Sequence, residues 1–532
     1  MAARALTFAR TLAGRVSTWH VLSLAVALGA IIVAGRNQWF FYDEWAFLEP
    51  HADAALFAPH AGHWSTSPIL LTHALRAVFG VTTYWPYLLL SVAVHLAICH
   101  VLWRLMLRVG AAPAIATSLA FLLALLGAGA ENILWAFQVG FLGAILLGLI
   151  VILLADAPTL SRGRWIGIIA LSILSLTFSG TAIPVLVAAG LVSLARRGPL
   201  RTAALLGPAA AVYLAWYALF VRGRGSTNGA VNFDHYAVGV PEYVGHYFVD
   251  GFQAVLPVVG FGAIAVACLL LWVVLTYSQW RGAAVAAYGL TAAAVLQATL
   301  TAVSRLQLGT DAASSSRYVY ALIALMLLAI AMALTWAARE RRAVIGAFVV
   351  LILLVTGYNT GLLRRSGAEQ ATLEQASRQK LYAALELITA PGAAYNPDEK
   401  VESLHAPDLT VADLIAMQEA GWISVGAYSE SAMLSARTDL DITRTPGRQP
   451  ADATECVTVG TGGQTAITDS DGTVLIRSDE ASGVELTLSD GDIVGYPKSV
   501  PLKSGWTEIT FPSELELTTA QFYEGHRLFV CT

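Results

Sequence analysis

Apolar runs of about 20 residues recur through the first two thirds of this 532-residue chain, each long enough to cross a hydrocarbon layer as one helix. A backbone that enters lipid has to satisfy its own hydrogen bonds, and unbroken apolar runs do so as α-helices. The runs lie near 17–36, 84–104, 112–129, 133–155, 165–179, 181–195, 202–221, 257–277, 282–304, 317–337 and 343–363. They predict a polytopic α-helical membrane protein of about eleven spans. Composition agrees: 13% of residues are charged, against roughly 25% in soluble chains. A pI of 6.3 excludes a basic nucleic-acid binder.

The texture changes after Leu363. Only seven acidic residues lie between Tyr84 and Leu363, whereas all four lysines (Lys380, Lys400, Lys498, Lys503) fall in the polar remainder. This predicts a transmembrane domain over 1–365, a helical connecting segment over 366–450 and a β-rich soluble domain over 451–532, the tail as a whole being α+β or β-sandwich-like. Residues 367–390 and Thr410–Ala420 read as helices. Thr473–Arg477, Val484–Leu488 and Thr507–Phe511 read as strands, with turns at Asp471-Gly472 and Asp490-Gly491. Hairpin turns also account for Asp469-x-Asp471 and Asp490-x-Asp492 better than calcium loops do. Tyr496, Trp506 and Tyr523 are aromatic groups that either fill the domain core or stack on sugar rings.

Loop arginines set an orientation. Arg4, Arg10 and Arg15 precede the first run. Arg104/Arg108, Arg162/Arg164, Arg196/Arg197/Arg201, Arg281 and Arg339/Arg341/Arg342 then fall in alternate short loops. A cytoplasmic N-terminus collects them all on one side and sends the tail outside, at the plasma membrane; Arg364 and Arg365 violate the rule locally. The first run has no small-x-small cleavage site before Asn37 and reads as a signal anchor. An outside tail permits a disulfide, and Cys456 and Cys531, which bracket the last β-like stretch, are expected to form it. Cys99 and Cys268 lie in the apolar runs as small hydrophobes.

The long loop after the first run opens with Phe40-Phe41-Tyr42-Asp43-Glu44-Trp45. Two adjacent carboxylates among aromatics at a membrane surface resist joint ionisation, so one is raised toward the range of a general base. The same loop continues with His60-Ala-Gly-His63-Trp64. It then runs through Ile69, Leu70, Leu75, Val78 and Phe79 at helical spacing, as in a helix lying on the membrane. His60 and His63 leave room for a divalent cation, but no third ligand is evident; contact with a polar substrate is the better reading of both, with Trp64. Glu131-Asn132, followed by Trp135 and Gln138, sits at the mouth of two spans, where a carboxylate is costly unless it serves a cavity or partner. Arg305 ends one run, and Ser314-Ser-Ser-Arg317-Tyr318 opens the next; arginine, hydroxyls and a helix start suit a phosphate.

With Asp43-Glu44 directly after the first span, a long outer loop with a juxtamembrane helix, and a short helical hairpin broken at Ser179-Gly180-Thr181, residues 15–365 resemble the GT-C superfamily of membrane glycosyltransferases. The resemblance implies an inverting enzyme that moves sugar from a polyprenyl-phosphate donor to an extracytoplasmic glycan or glycolipid. Asp43 would be the base that activates the acceptor hydroxyl and Glu44 the second acidic position; Arg317, with Tyr318 and Arg305, would hold the donor phosphate. His60, His63, Trp64 and Glu131 rest on the residues alone. The Arg- and Ala-rich, Lys-poor usage resembles that of high-GC actinobacteria, whose cell-wall transferases join a GT-C core to an outside β-rich domain. The alternative is a transporter or flippase of lipid-linked sugar, which calls for ionisable groups at the midplane and internal repeats. A binding scaffold would leave Asp43-Glu44 without a reason.

Overall fold

The computed structural model describes residues 2–49, 56–222, 233–279, 282, 284–339, 341–447, 456–459, 463–467, 472–520 and 528–531. Within the first helix, side chains are described from Val16 onward. Arg281, Glu340, Asp469, Asp471, Tyr523 and the side chains of Arg4, Arg10, Arg15 and Asp234 lie outside the described residues.

In chain order the helices are α1 (Ala2–Ala34), α2 (Glu44–Leu48), α3 (Thr66–Phe79), α4 (Trp85–Arg108), α5 (Pro113–Ala124), α6 (Ala130–Leu134), α7 (Val139–Ala155), α8 (Arg162–Leu176) and α9 (Ala182–Arg197). Then come α10 (Pro199–Trp216), α11 (Phe233–Val255), α12 (Phe261–Thr276), α13 (Val285–Arg305), α14 (Ser316–Ala338), α15 (Arg342–Thr389), α16 (Val411–Glu419) and α17 (Glu430–Leu440). They divide between two compact units that are not contiguous in sequence. One comprises Met1–Arg36, Ala54–Leu71 and Trp85–Glu369; the other comprises Asn37–Asp53, Thr72–Tyr84 and Gln370–Thr532.

In the first unit each apolar run lies on a helix. Seven helices among the described residues are long and apolar enough to cross a membrane, or eight if Pro113–Ala124 and Gly127–Leu134, bent by 44°, count as one broken span. At 15 and 16 residues, α8, α9 and α12 are shorter than a full crossing of about 20. The bend after α5 has a local cause: a Cβ on Gly127 would lie 2.2 Å from the Asn359 carbonyl oxygen, so only glycine permits that approach. The hairpin α8–α9 turns at Thr177–Thr181, and its tip is held to Ser67, whose N–H donates to the Thr177 carbonyl at 3.0 Å. The region between the apolar runs that end at 221 and begin at 257 contains α11, which packs on α12, α13 and α14. It escapes an apolar-run reading because Glu242, His246 and Asp250 line one side, while Tyr243, Tyr247 and Phe252 are buried on the other.

α15 continues without a break to Thr389, taking in the polar stretch read as a separate helix over 367–390. α16 starts as predicted, with Thr410 and Asp413 in a reciprocal capping box. β-structure begins at Thr443. Two tiny strands, β1 (Pro59–His60) and β2 (His63–Trp64), belong to the first unit. The tail then has β3 (Thr443–Pro446), β4 (Cys456–Val459), β5 (Gln464–Ile467), β6 (Thr473–Ser478), β7 (Ser482–Asp490), β8 (Ile493–Val494), β9 (Lys498–Leu502), β10 (Gly505–Thr510), β11 (Glu516–Ala520) and β12 (Leu528–Cys531). They form two antiparallel sheets, ordered β3-β10-β6-β12-β4 and β5-β11-β7-β8 with β9 also on β7. Alternate residues such as Val474, Ile476, Leu486, Leu488, Leu517 and Val530 share one buried core, the pattern of strands with a single apolar face. Leu434 of α17 joins it.

Cys456 and Cys531 face each other across β4 and β12 and are joined by a disulfide. It closes 75 residues of chain, so Cys531→Ser is expected to destabilise the unfolding transition of this region by about 2–4 kcal/mol. Thermal unfolding of the full chain with and without reductant measures it; reductant should lower the wild-type transition and leave the variant's unchanged.

Candidate functional site

The candidate residues fall into two clusters, one in each unit. In the second unit the stretch Trp39–Trp45 is folded into a tight turn. The Trp39 N–H donates to Glu374 Oε2 at 2.7 Å. Tyr42 adopts φ +50°, a left-handed conformation rare for a tyrosine, and its N–H donates to the His405 carbonyl at 2.7 Å. The Phe41 and His405 rings lie 5.4 Å apart. Strain of this kind persists only where surroundings hold it.

The turn treats its two carboxylates differently. Glu44 is buried, 5% exposed, and accepts from the Phe41 N–H at 2.8 Å and the Tyr84 hydroxyl at 2.9 Å. Asp43 is half-buried at the N-cap of α2, yet its side chain does not cap that helix. The second buried carboxylate that Glu44 works against is Glu374, held well above the usual carboxylate range by burial and pushed further by Glu44. Glu374, His405 and Tyr84 were missed in the sequence, because their partners in the turn are distant: Tyr84 bonds Glu44 across 40 residues, Glu374 bonds Trp39 across 335, and His405 bonds Tyr42 from farther still. On α3, Leu70, Val78 and Phe79 are exposed, while Ile69 is buried. Arg76 is buried as well, donating to the Leu48 carbonyl at 2.7 Å and lying 4.0 Å from the Trp422 ring centre.

In the first unit β1 and β2 make a minimal hairpin that sets His60 opposite His63, with Ala61 and Gly62 in positive-φ conformations between them. His60 packs on Phe137 and His63 on Phe141. Trp64 stacks on Trp216 at 5.1 Å, and its indole N–H donates to Thr66 Oγ1. The broken hairpin reaches this point: a Cβ on Gly180 would lie 2.8 Å from His63 Nδ1, so the absent side chain makes room for the imidazole.

Burial, with Arg305 and His60 nearby, lowers the His63 pKa to about 4. His63 is therefore a neutral imidazole at pH 7. An unfolded histidine takes up its proton near pH 6.5, so this residue's contribution to stability is present above pH 6.5 and is lost as pH falls toward 4. His63→Gln is expected to flatten the acid side of a stability-versus-pH curve over that window, as measured by melting temperature.

In the same unit, Glu131 and Arg317 are paired, Oε1 to Nε at 3.2 Å, and the Glu131 N–H donates to Ser316 Oγ. The Arg317 guanidinium lies 5.9 Å from the Tyr318 ring centre, and the Tyr247 hydroxyl donates to the Tyr318 carbonyl. Arg305 also acts on buried Tyr243, whose pKa burial and Tyr318 raise to about 12. Asn132 and Gln138, both fully buried, have side-chain amides with no partner among the described residues. A buried amide left so is costly unless water or a ligand meets it. Beside this cluster a groove of about 370 Å³ runs between α11, α12, α13 and α14, lined by apolar residues including Phe248, Phe252, Leu269, Val295 and Met326. Among the described residues no three His, Cys, Asp or Glu side chains converge as metal ligands.

No protein-family model and no curated protein matches this sequence.

Proposed function

We propose that this chain is an integral-membrane inverting glycosyltransferase, of the kind the GT-C superfamily represents. It would transfer sugar from a polyprenyl-phosphate donor to a glycan or glycolipid acceptor outside the cytoplasm. The observation that carries the reading is the unequal burial of the two adjacent carboxylates: Glu44 is buried and accepts two hydrogen bonds within the turn, whereas Asp43 is half-buried at the start of α2. In this reading Asp43 takes the acceptor hydroxyl's proton. The acceptor oxygen then bonds to the anomeric carbon, and the anomeric carbon–phosphate oxygen bond breaks with its electron pair leaving on the polyprenyl phosphate. The family resemblance assigns the donor phosphate to Arg317, with Arg305, and stabilising the leaving phosphate's charge would be the main electrostatic contribution to such a reaction.

Further support comes from each unit separately. The apolar groove between α11, α12, α13 and α14 suits a lipid chain, and the amides of Asn132 and Gln138, without partners among the described residues, suit a polar ligand. The disulfide suits an oxidising, extracytoplasmic compartment for the tail. The test is transfer of radiolabelled sugar by the purified full chain from a panel of polyprenyl-phosphate donors to a mixed glycan extract. Transfer from one donor supports the reading.

Two observations favour the second reading, a flippase of lipid-linked sugar. The α5–α6 span is broken, and His95 is fully buried within α4 and bonded to the Tyr320 hydroxyl at 2.8 Å. No transfer from any donor, together with lipid-sugar translocation in liposomes, would select it.

A further inference from the structure

One end of the helical unit carries more arginine than its own structure consumes. The ends of α4, α7 and α9 and the starts of α8 and α10 meet there. From Leu153 to Arg201 the sequence has one acidic residue, Asp156, against Arg162, Arg164, Arg196, Arg197 and Arg201. Asp156 is taken up by Arg196, at 2.9 Å, and by Arg108 of α4, at 3.8 Å. Arg197 is held by the carbonyls of Ala155 and Ala157, which close the end of α7. These three arginines are structural.

Arg162, Arg164 and Arg201 are not. All three are exposed, and among the described residues none has a carboxylate partner; the Arg164 guanidinium donates to the Thr159 carbonyl at 2.9 Å. They stand in the first turns of α8 and α10, helices that pack together. Basic residues in a first turn are unfavourable to a helix unless an anion is brought in. Immediately beside them exposed apolar side chains begin: Ile166 is 56% exposed, Leu194 42% and Leu200 87%. A lipid-facing surface presents this sequence of groups, charge first and hydrocarbon next.

We propose that Arg162, Arg164 and Arg201 form a binding site for an anionic glycerophospholipid. Its phosphate lies among the three guanidinium groups, and its acyl chains lie along Ile166, Leu194 and Leu200. A zwitterionic phospholipid brings its own ammonium and gains little from three arginines. A free phosphate lacks the chains that would cover the apolar residues.

The test compares lipid adducts on the full chain by native mass spectrometry in detergent, with phosphatidylglycerol or phosphatidylcholine added. Wild type is expected to retain phosphatidylglycerol selectively. Arg162→Gln/Arg164→Gln/Arg201→Gln should weaken that retention roughly a hundredfold at low salt, and the triple lysine variant should keep most of it. If the glutamine variant does not fold, Arg201→Gln alone should lower retention severalfold, and added salt should lower wild-type retention. Equal retention of phosphatidylcholine by wild type would overturn the proposal, as would undiminished phosphatidylglycerol binding by the glutamine variants. So would complete displacement by an equal concentration of inorganic phosphate, which would mark a free-anion site.

Discussion

Lys380→Met is expected to destabilise the second unit by about 3–5 kcal/mol, enough to lose its cooperative unfolding transition at ordinary temperature. Lys380 is 3% exposed, and its ammonium lies 2.5 Å from Asp439 Oδ2 and 3.4 Å from Glu402 Oε1. Burial disfavours its charge, but the two carboxylates outweigh burial and hold its pKa above the usual lysine value. Methionine fills similar volume and leaves two buried carboxylates without a cation. The backbone N–H groups of Ser403, Leu404 and His405 still donate to them, which offsets part of the cost.

The sign of the pH dependence separates this account from a simple packing defect. Without Lys380 the two carboxylates are buried with no cation, which disfavours their charged forms, so stability should be highest at acid pH, where both are protonated, and fall as pH rises. A melting curve for Lys380→Met that improves between pH 7 and pH 5 is the expected result. Lys380→Met/Glu402→Gln/Asp439→Asn, with no charge left to bury, should lose less than Lys380→Met alone. An equal or greater loss would show that the packing, not the charge, carries the stability.

The same residues show what a linear reading reaches and where it stops. Membrane helices announce themselves, because each must be apolar over its own length whatever its neighbours are. The disulfide was legible for a similar reason: two cysteines bracketing one β-like stretch left few partners. Lys380, Glu402 and Asp439 look like ordinary surface charges, since each is buried only by segments distant in sequence. Arg364 and Arg365 interrupt the apolar pattern of α15 and suggested a boundary, but an end of hydrophobicity is not an end of helix. At the candidate site, Asp43 and Glu44 stood out together. Their division of labour was hidden, because Tyr84 sets Glu44's role from 40 residues away, and Glu374 and His405 hold the turn from the far end of the chain.

That division gives the second large effect. Asp43→Asn keeps the shape of the turn and removes the base, and is expected to lower kcat about 10²–10⁴-fold with the acceptor KM little changed. Glu44→Gln should behave differently. A glutamine accepts through one oxygen only, so one of the bonds from the Phe41 N–H and the Tyr84 hydroxyl is lost. The expected cost is about 1–3 kcal/mol of stability, with activity reduced through a loosened turn and recovered in part at lower temperature. The pH profile of kcat/KM distinguishes the roles. The acid limb, which reports protonation of the base, should vanish in Asp43→Asn and persist in Glu44→Gln. A vanished limb in the Glu44 variant with full activity in the Asp43 variant would transfer the base to Glu44, and the buried carboxylate, not the presented one, would be doing the chemistry.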